Sequence, residues 1–371
     1  MKIDDITLTL FAWDDIPPTS YAAHTGKFSG SSKLGLLSIH TDEGITGHAF
    51  LGSAYYPADL DGPNLIKYLK PLLMGQNPLD REKLFQAMWK RSRTTTVRTI
   101  GACDVALWDI AGKVAGLPIH QLIGGYRNKI KAYASSMILD SPQEYAEEAL
   151  LYQSLNWAAY KIHPPHPWQE DIRVCQVTRE AVGDPDDYLL MLDAAWAYQY
   201  PEAVRVGRAI EELNYYWYED PLQDSDIYNY VKLKQQLHIP IMATEAPAAV
   251  LDAYVPWIQQ SATDYLRGDV PLKGGITNML KTAHLAEAFR MNYEIHHGGN
   301  SLNNVAQLHV AMALKNTEFF EVLLPGGAQK YGLVQDIEPD ADGYVHAPTG
   351  PGLGAEIDMA LIERKKVGVL K

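Results

Sequence analysis

The sequence predicts an α/β chain: a (β/α)₈-type barrel preceded by a smaller N-terminal α+β domain. Three observations carry this reading. Eight short apolar or aromatic runs, from "IKAYASS" near residue 130 to "FFEVLL" near 320, each end abruptly at a polar or turn-forming stretch. From residue 163 onward their polar ends recur every 24 to 30 residues, the length of a strand, a helix and two loops. The stretches between them, such as "DIRVCQVTREAVG" and "VRVGRAIEELN", step their apolar residues by three and four, as an amphipathic helix requires. Eight strands separated in this way run parallel and close on themselves.

Residues 1–125 break the rhythm. "DITLTLFAW" and "LGLLSIHTDEGITGHAF" alternate as antiparallel strands, the second pair turning at Asp42-Glu43-Gly44, while "GPNLIKYLKPLLM" and "DREKLFQAMWKRSR" read as amphipathic helices. Between the first two strands, "DDIPPTSYAAHTGKFSGSS" is rich in Pro, Gly, Ser and Thr. It predicts a mobile loop over about residues 14–32, either plain surface or a lid that closes over a ligand. The barrel is expected over residues 126–345.

Composition narrows the function classes. With 371 residues and 47% apolar side chains, the chain can bury a large core. Its 45 acidic and 32 basic residues leave a net charge of −13, which disfavours the nucleic-acid backbone and anionic membranes and favours a small-molecule partner. Cys103 and Cys175 are too few for a disulfide framework, so a reducing cytoplasm is the expected compartment. The acidic start, "MKIDDITLTLFAWDD", does not read as a targeting segment, and no apolar stretch is long enough to span a bilayer.

In such a barrel the carboxyl ends of the strands share one mouth. Three consecutive runs end there in carboxylates: Asp193 in "LLMLDA", Glu219 in "YYWYED" and Glu245 in "IPIMATE". Singly, each reads as easily as a helix cap. Together, three anions in one small volume need a cation, and an all-oxygen set suits Mg²⁺. On the preceding run, "AAYKIH", Lys161 and His163 stand two apart and share a strand face, so both point into the mouth. Lys161 there is expected to hold an anionic substrate group, and its charge to keep His163 neutral as a base. His166 follows two prolines that exclude a metal-binding helix, and reads as loop surface. Across the barrel, Asp269 and His296 end adjacent runs, and a carboxylate that accepts a ring N–H orients a histidine as a second base.

Taken in order, "GACDVALWDIAGKVAGLPIHQLIGG", "YEDP", "ATEAP", "GDVPLKGGIT", "IHHGGNS" and "PTGPGLGAEID" make the chain resemble the enolase superfamily, specifically its mandelate racemase-like branch of acid-sugar dehydratases and racemases. The resemblance covers nearly the whole chain. It implies a modified TIM barrel, (β/α)₇β, with a capping domain whose loops select substrate, and a C-terminal segment, 346–371, that returns to the cap. It implies one Mg²⁺ per subunit held by Asp193, Glu219 and Glu245, with homo-oligomeric assembly. Lys161 and His163 fall on the paired-base strand, Asp269 and His296 on the dyad, and Glu321 where a glutamate hydrogen-bonds the enolate carboxylate. His296 is preferred to His297 because the histidine of the family stands one residue before Gly-Gly, here Gly298 and Gly299. His24, Tyr55, His297 and Lys161 are the expected substrate contacts.

The sequence departs from the family pattern twice. The second base is His163 where lysine is common, which leans away from a simple racemase, and Ala195 stands where an asparagine commonly contacts substrate. The implied chemistry is abstraction of the proton α to a carboxylate. Mg²⁺, Lys161 and a protonated Glu321 would stabilise the charge that develops. Loss of the β-hydroxyl from an aldonate or aldarate would give a 2-keto-3-deoxy acid; racemisation, epimerisation or lactone cycloisomerisation would use the same constellation. Hydrophilic His24, Lys27 and Ser29 favour a polyhydroxylated acid, against which stand Trp13, Tyr55 and Tyr56. A binding barrel without chemistry would be expected to have lost a rim residue, and a metal-dependent hydrolase would want a His-x-His pair where "KAYASS" has none.

Overall fold

The computed structural model describes residues 1–184, 186–245, 251–297 and 301–371. The N-terminal sheet begins with β1 (Ile3–Thr19), β2 (Phe28–Thr41) and β3 (Thr46–Leu51), paired antiparallel in that order. Gly44, at φ +77°, makes the β2–β3 turn, and its N–H donates to the Thr41 carbonyl. Alternate residues of β1, among them Ile6, Leu8 and Leu10, are buried against the helices that follow, which is the period-2 pattern expected of a half-buried sheet. The first helical stretch, residues 58–73, opens into a π-turn at Leu65–Leu69 just before Pro71, which has no N–H to donate to the preceding turn.

The Pro- and Gly-rich stretch expected as a loop over 14–32 is mostly strand. Trp13 pairs with Ser32, Ile16 with Gly30 and Thr19 with Phe28, with irregularities between these pairs. Only residues 20–27 lie outside the ladder. Irregular pairing tolerates Pro17 and Pro18 because a bulged ladder does not call on every N–H.

Eight parallel strands form the barrel: β4 (Lys129–Ser135), β5 (Ala159–Ile162), β6 (Leu189–Asp193), β7 (Tyr218–Glu219), β8 (Ile241–Ala243), β9 (Tyr265–Gly268), β10 (Asn292–Ile295) and β11 (Phe319–Leu323). Each pairs with the next, and β11 pairs with β4 to close the cylinder. These are the eight runs picked out from the sequence. Among the described residues a helix follows each of the first seven, whereas β11 leads only to a short 3₁₀ turn, Gly326–Ala328. β12 (Tyr344–His346) pairs antiparallel with β4, and β13 (Lys366–Leu370) crosses back to pair with β1.

The long helix Val97–Ala115 docks the N-terminal domain on the barrel. Its Asp104 is wholly buried and accepts hydrogen bonds from the N–H and hydroxyl of Thr277, at 2.9 and 2.6 Å. Its Trp108 indole N–H donates to the same hydroxyl. Burial pushes the Asp104 carboxyl up to about 6. Among the described residues no helix is long and apolar enough to cross a membrane.

Inside the barrel the strand period stacks side chains in layers. Tyr133, Ala159, Met191, Trp217 and Phe319 form an apolar plug. Two residues further along β5, β6, β7 and β11 stand Lys161, Asp193, Glu219 and Glu321, and β9 adds Arg267 two residues beyond Tyr265. A charged layer therefore lies directly on the apolar one.

Candidate active site

Asp193, Glu219 and Glu245 converge. One carboxylate oxygen from each lies within 4.8 Å of the others, and no other group of this kind occurs among the described residues. Asp193 and Glu219 are buried; Glu245, two residues past β8, is partly open to the cavity. Three hard oxygen donors at this spacing, without thiolate or imidazole among them, fit Mg²⁺ better than a softer metal.

Lys161 Nζ, wholly buried, lies 3.1 Å from Asp193 Oδ2, 3.0 Å from Glu219 Oε2 and 2.8 Å from Glu321 Oε1. The ammonium thus sits beneath the cavity floor, bonded to three acids, and not on the cavity surface where a substrate anion would touch it. Burial opposes ionisation of Asp193, but Lys161 and His163 outweigh that and hold the carboxyl below the usual carboxylate range.

Arg267 is the residue that the sequence reading missed. It is wholly buried on β9, with Nε paired to Glu219 Oε1, and Nη2 2.5 Å from Glu321 Oε2 and 3.2 Å from the Tyr133 hydroxyl. An arginine in an apolar run, two positions before Asp269 and therefore on the same face, was the available signal: a buried guanidinium requires acidic partners. Arg267, Glu219, Lys161 and Glu321 form a closed ring of alternating charge. In it, Glu321 accepts from Arg267, Lys161 and the His297 backbone N–H at 2.8 Å. Burial alone would raise its pKa, but the two cations hold it well below the usual range. In this network Glu321 faces three donors and acts as an acceptor, where the sequence reading expected a donor.

Two histidines flank the acids. His163 Nδ1–H donates to the Ser136 carbonyl at 2.6 Å, which fixes the ring and leaves Nε2 toward the cavity, 3.1 Å from Asp193 Oδ2. His296 Nδ1–H donates to Asp269 Oδ2 at 2.8 Å, and its Nε2 lies 3.3 Å from Glu245 Oε1. The Leu272 N–H in turn holds Asp269 Oδ1 at 2.7 Å. Burial lowers the His296 pKa, but Glu245 and Asp269 outweigh it and the net shift is upward. The Gly298-Gly299 step used to choose between the two histidines lies outside the described residues, as do the last two residues of "ATEAP". The two rings differ in their partners: His296 is held by Asp269, whereas His297 has its Nε2 2.8 Å from the Asn304 amide, and burial drives its pKa down to about 4.

Above the acids opens a cavity of about 580 Å³, walled by both domains. Tyr55 and His297 line it, together with Tyr21, Phe50, Trp196 and Leu272. His24 does not. It is exposed near the hairpin turn, its ring 6.2 Å from that of Trp196, and Lys27 and Ser29 are exposed as well. In the turn between β1 and β2 it is Tyr21, not His24, that faces inward, its ring edge 5.4 Å from His163. These placements remove the hydrophilic trio as an argument about substrate.

Two family models match the chain: "Mandelate racemase / muconate lactonizing enzyme, N-terminal domain" over residues 6–124, and "Enolase C-terminal domain-like" over 144–361. Arabinonate dehydratase of Saccharolobus solfataricus is 28% identical over 346 residues, covering 88% of this chain and 89% of that protein. A crystal structure of D-glucarate dehydratase from Agrobacterium tumefaciens, complexed with magnesium, is 33% identical, with a TM-score of 0.88 over 99% of this chain and 100% of that one. The 3,6-anhydro-D-galactonate cycloisomerase of Zobellia galactanivorans is 27% identical, with a TM-score of 0.84 over 99% and 100%. By fold, by the order of its strand-end residues and by these matches, the chain belongs to the mandelate racemase-like branch of the enolase superfamily.

Proposed function

We propose that this protein is a Mg²⁺-dependent acid-sugar dehydratase, which removes the proton α to the carboxylate of an aldonate or aldarate and expels the β-hydroxyl. The observation that carries the reading is the placement of two cavity-facing histidine nitrogens, just after β5 and just after β10, around one set of converging carboxylates. Similarity to dehydratases of arabinonate and glucarate supports it.

Asp193, Glu219 and Glu245 would hold the cation. Bound there, Mg²⁺ supplies Lewis-acid stabilisation of charge on the substrate carboxylate. The protein's own residues do the rest. Lys161, directly beneath, adds fixed positive charge where the carboxylate becomes electron-rich. One of His163 Nε2 and His296 Nε2 takes the α-proton; the other, protonated, delivers a proton to the departing hydroxyl, so no free hydroxide forms. The enol that results ketonises to a 2-keto-3-deoxy acid. The Ser136 carbonyl and Asp269 each fix the Nδ1–H tautomer, so both Nε2 atoms are presented without reorganisation. Arg267 balances Glu321 and Glu219, leaving Lys161 the only cation of the ring that also touches Asp193. Buried, unpaired Cys103 and Cys175 agree with a reducing, cytoplasmic setting.

The test is incubation with Mg²⁺ and a panel of aldonic and aldaric acids in deuterated water. Keto-acid formation supports dehydration. Solvent deuterium incorporated without loss of water would assign racemisation or epimerisation instead, and mass-neutral lactone rearrangement would assign cycloisomerisation, to which the Zobellia neighbour gives weight.

A further inference from the structure

Most polar side chains of the cavity that stand outside the acid–base set are already engaged within the protein. The Tyr21 hydroxyl donates to the Leu324 carbonyl, Tyr55 shares a hydrogen bond with Thr19, Thr25 bonds the Ala22 carbonyl, and His297 bonds Asn304. Asn303 differs. Its side chain lines the cavity and the residue is only 5% exposed, yet its amide makes no hydrogen bond to any described residue. An amide that borders open volume is free to hydrogen-bond whatever polar atom occupies the volume.

Asn303 lies in the first turn of the helix Leu302–Ala313, whose amino end carries partial positive charge and favours an oxygen acceptor. Its neighbour Asn304 is fixed by His297 and Gln307, at 2.8 and 2.7 Å, so this turn is rigidly placed. The helix follows β10, whereas Asp193, Glu219 and Glu245 end β6, β7 and β8 on another arc of the mouth. A substrate whose carboxylate sits at the three acids, and whose reacting carbons pass between His163 and His296, can extend its far end toward Asn303.

We infer that Asn303 is a specificity residue: its amide hydrogen-bonds a terminal oxygen, hydroxyl or carboxylate, of an extended acid sugar. The inference rests on the acid-sugar reading above. It follows that chain length, and not only the configuration at the reacting carbons, is read by this site.

The experiment measures equilibrium binding by calorimetry to Mg²⁺-loaded wild type, Asn303→Ala and Asn303→Asp, with thermal melts to verify folding. The probes are a six-carbon aldarate, a six-carbon aldonate and glycerate, an acid too short to reach. Asn303→Ala is expected to weaken at least one six-carbon acid tenfold or more, while glycerate changes less than threefold. A larger loss in Asn303→Asp than in Asn303→Ala assigns the far oxygen to a carboxylate; a smaller loss assigns it to a hydroxyl. Unchanged binding of both long acids, or an equal loss for glycerate, overturns the inference. Turnover separates the two readings. Asn303-dependent binding without keto-acid from any probe sinks the dehydratase reading alone, and keto-acid formation indifferent to Asn303 sinks only this one.

Discussion

Replacing Arg267 with methionine tests whether the buried ring of charge holds the barrel mouth together. The guanidinium and Glu219 are wholly buried and Glu321 is 2% exposed, so the carboxylates left without Arg267 stay largely desolvated. In the wild type, Lys161 and Arg267 face Asp193, Glu219 and Glu321; in Arg267→Met, Lys161 alone faces the same three acids. Removing one member of a buried ion pair costs about 3–5 kcal/mol, because the remaining charge stays desolvated. We expect a loss within that range in urea denaturation of the Mg²⁺-free protein, followed by tryptophan fluorescence and far-UV circular dichroism. The double variant Arg267→Met/Glu321→Gln removes one charge of each sign, and recovers about 1–3 kcal/mol relative to the sum of the two single variants, the usual coupling between contacting residues. A single variant within 1 kcal/mol of wild type, or strict additivity in the cycle, would refute the argument that these charges act as a unit.

Stability should also depend on His309. Its Nδ1 accepts from the His120 N–H at 3.1 Å and its Nε2–H donates to the Leu353 carbonyl at 3.0 Å, and burial holds its pKa down at about 4. A depressed basic group contributes stability above its unfolded pKa, near 6.5, that is lost as pH falls toward 4. About 2.5 kcal/mol should disappear between pH 7.5 and 4.5 and be absent from the pH dependence of His309→Gln, read from urea midpoints. Gly352 sits at φ +72°, and a Cβ there would come 2.1 Å from Asp109 Oδ1; Gly352→Ala should cost about 2–4 kcal/mol and loosen the C-terminal segment, seen as faster hydrogen exchange of the Leu353 amide. His163→Asn and His296→Asn should each lower kcat by about 10²–10⁴ while leaving Mg²⁺ affinity within about threefold, and a loss below tenfold in either removes that histidine from the acid–base pair.

The fold was legible because its signals are local. Each barrel strand announces itself by an apolar run with a polar end, and the period of two places Lys161 and His163 on one face without reference to any other strand. The three acids were legible for the same reason, since a strand terminus fixes its height in the barrel. Arg267 stands inside its run, two residues before the terminal Asp269, so a reading of run ends passes over it, although an arginine within "DYLRG" was a readable anomaly. The partners of Glu321 were beyond a local reading: Lys161 and Arg267 lie 160 and 54 residues away in the chain and meet it only when the barrel closes. The hairpin between β1 and β2 failed differently. Pro, Gly and Ser suggested a loop, and composition could not say that Tyr21 rather than His24 would face inward, since that depends on where an irregular ladder ends.

Calorimetric titration of the metal-free protein with Mg²⁺, in wild type and in Asp193→Asn, Glu219→Gln and Glu245→Gln, tests the converging carboxylates most directly. The account predicts one site per chain in the wild type and at least a tenfold weaker site in each variant, with the fold retained by circular dichroism. Binding of Mg²⁺ at wild-type strength in any of the three, or no binding to the wild type at millimolar Mg²⁺, would contradict it.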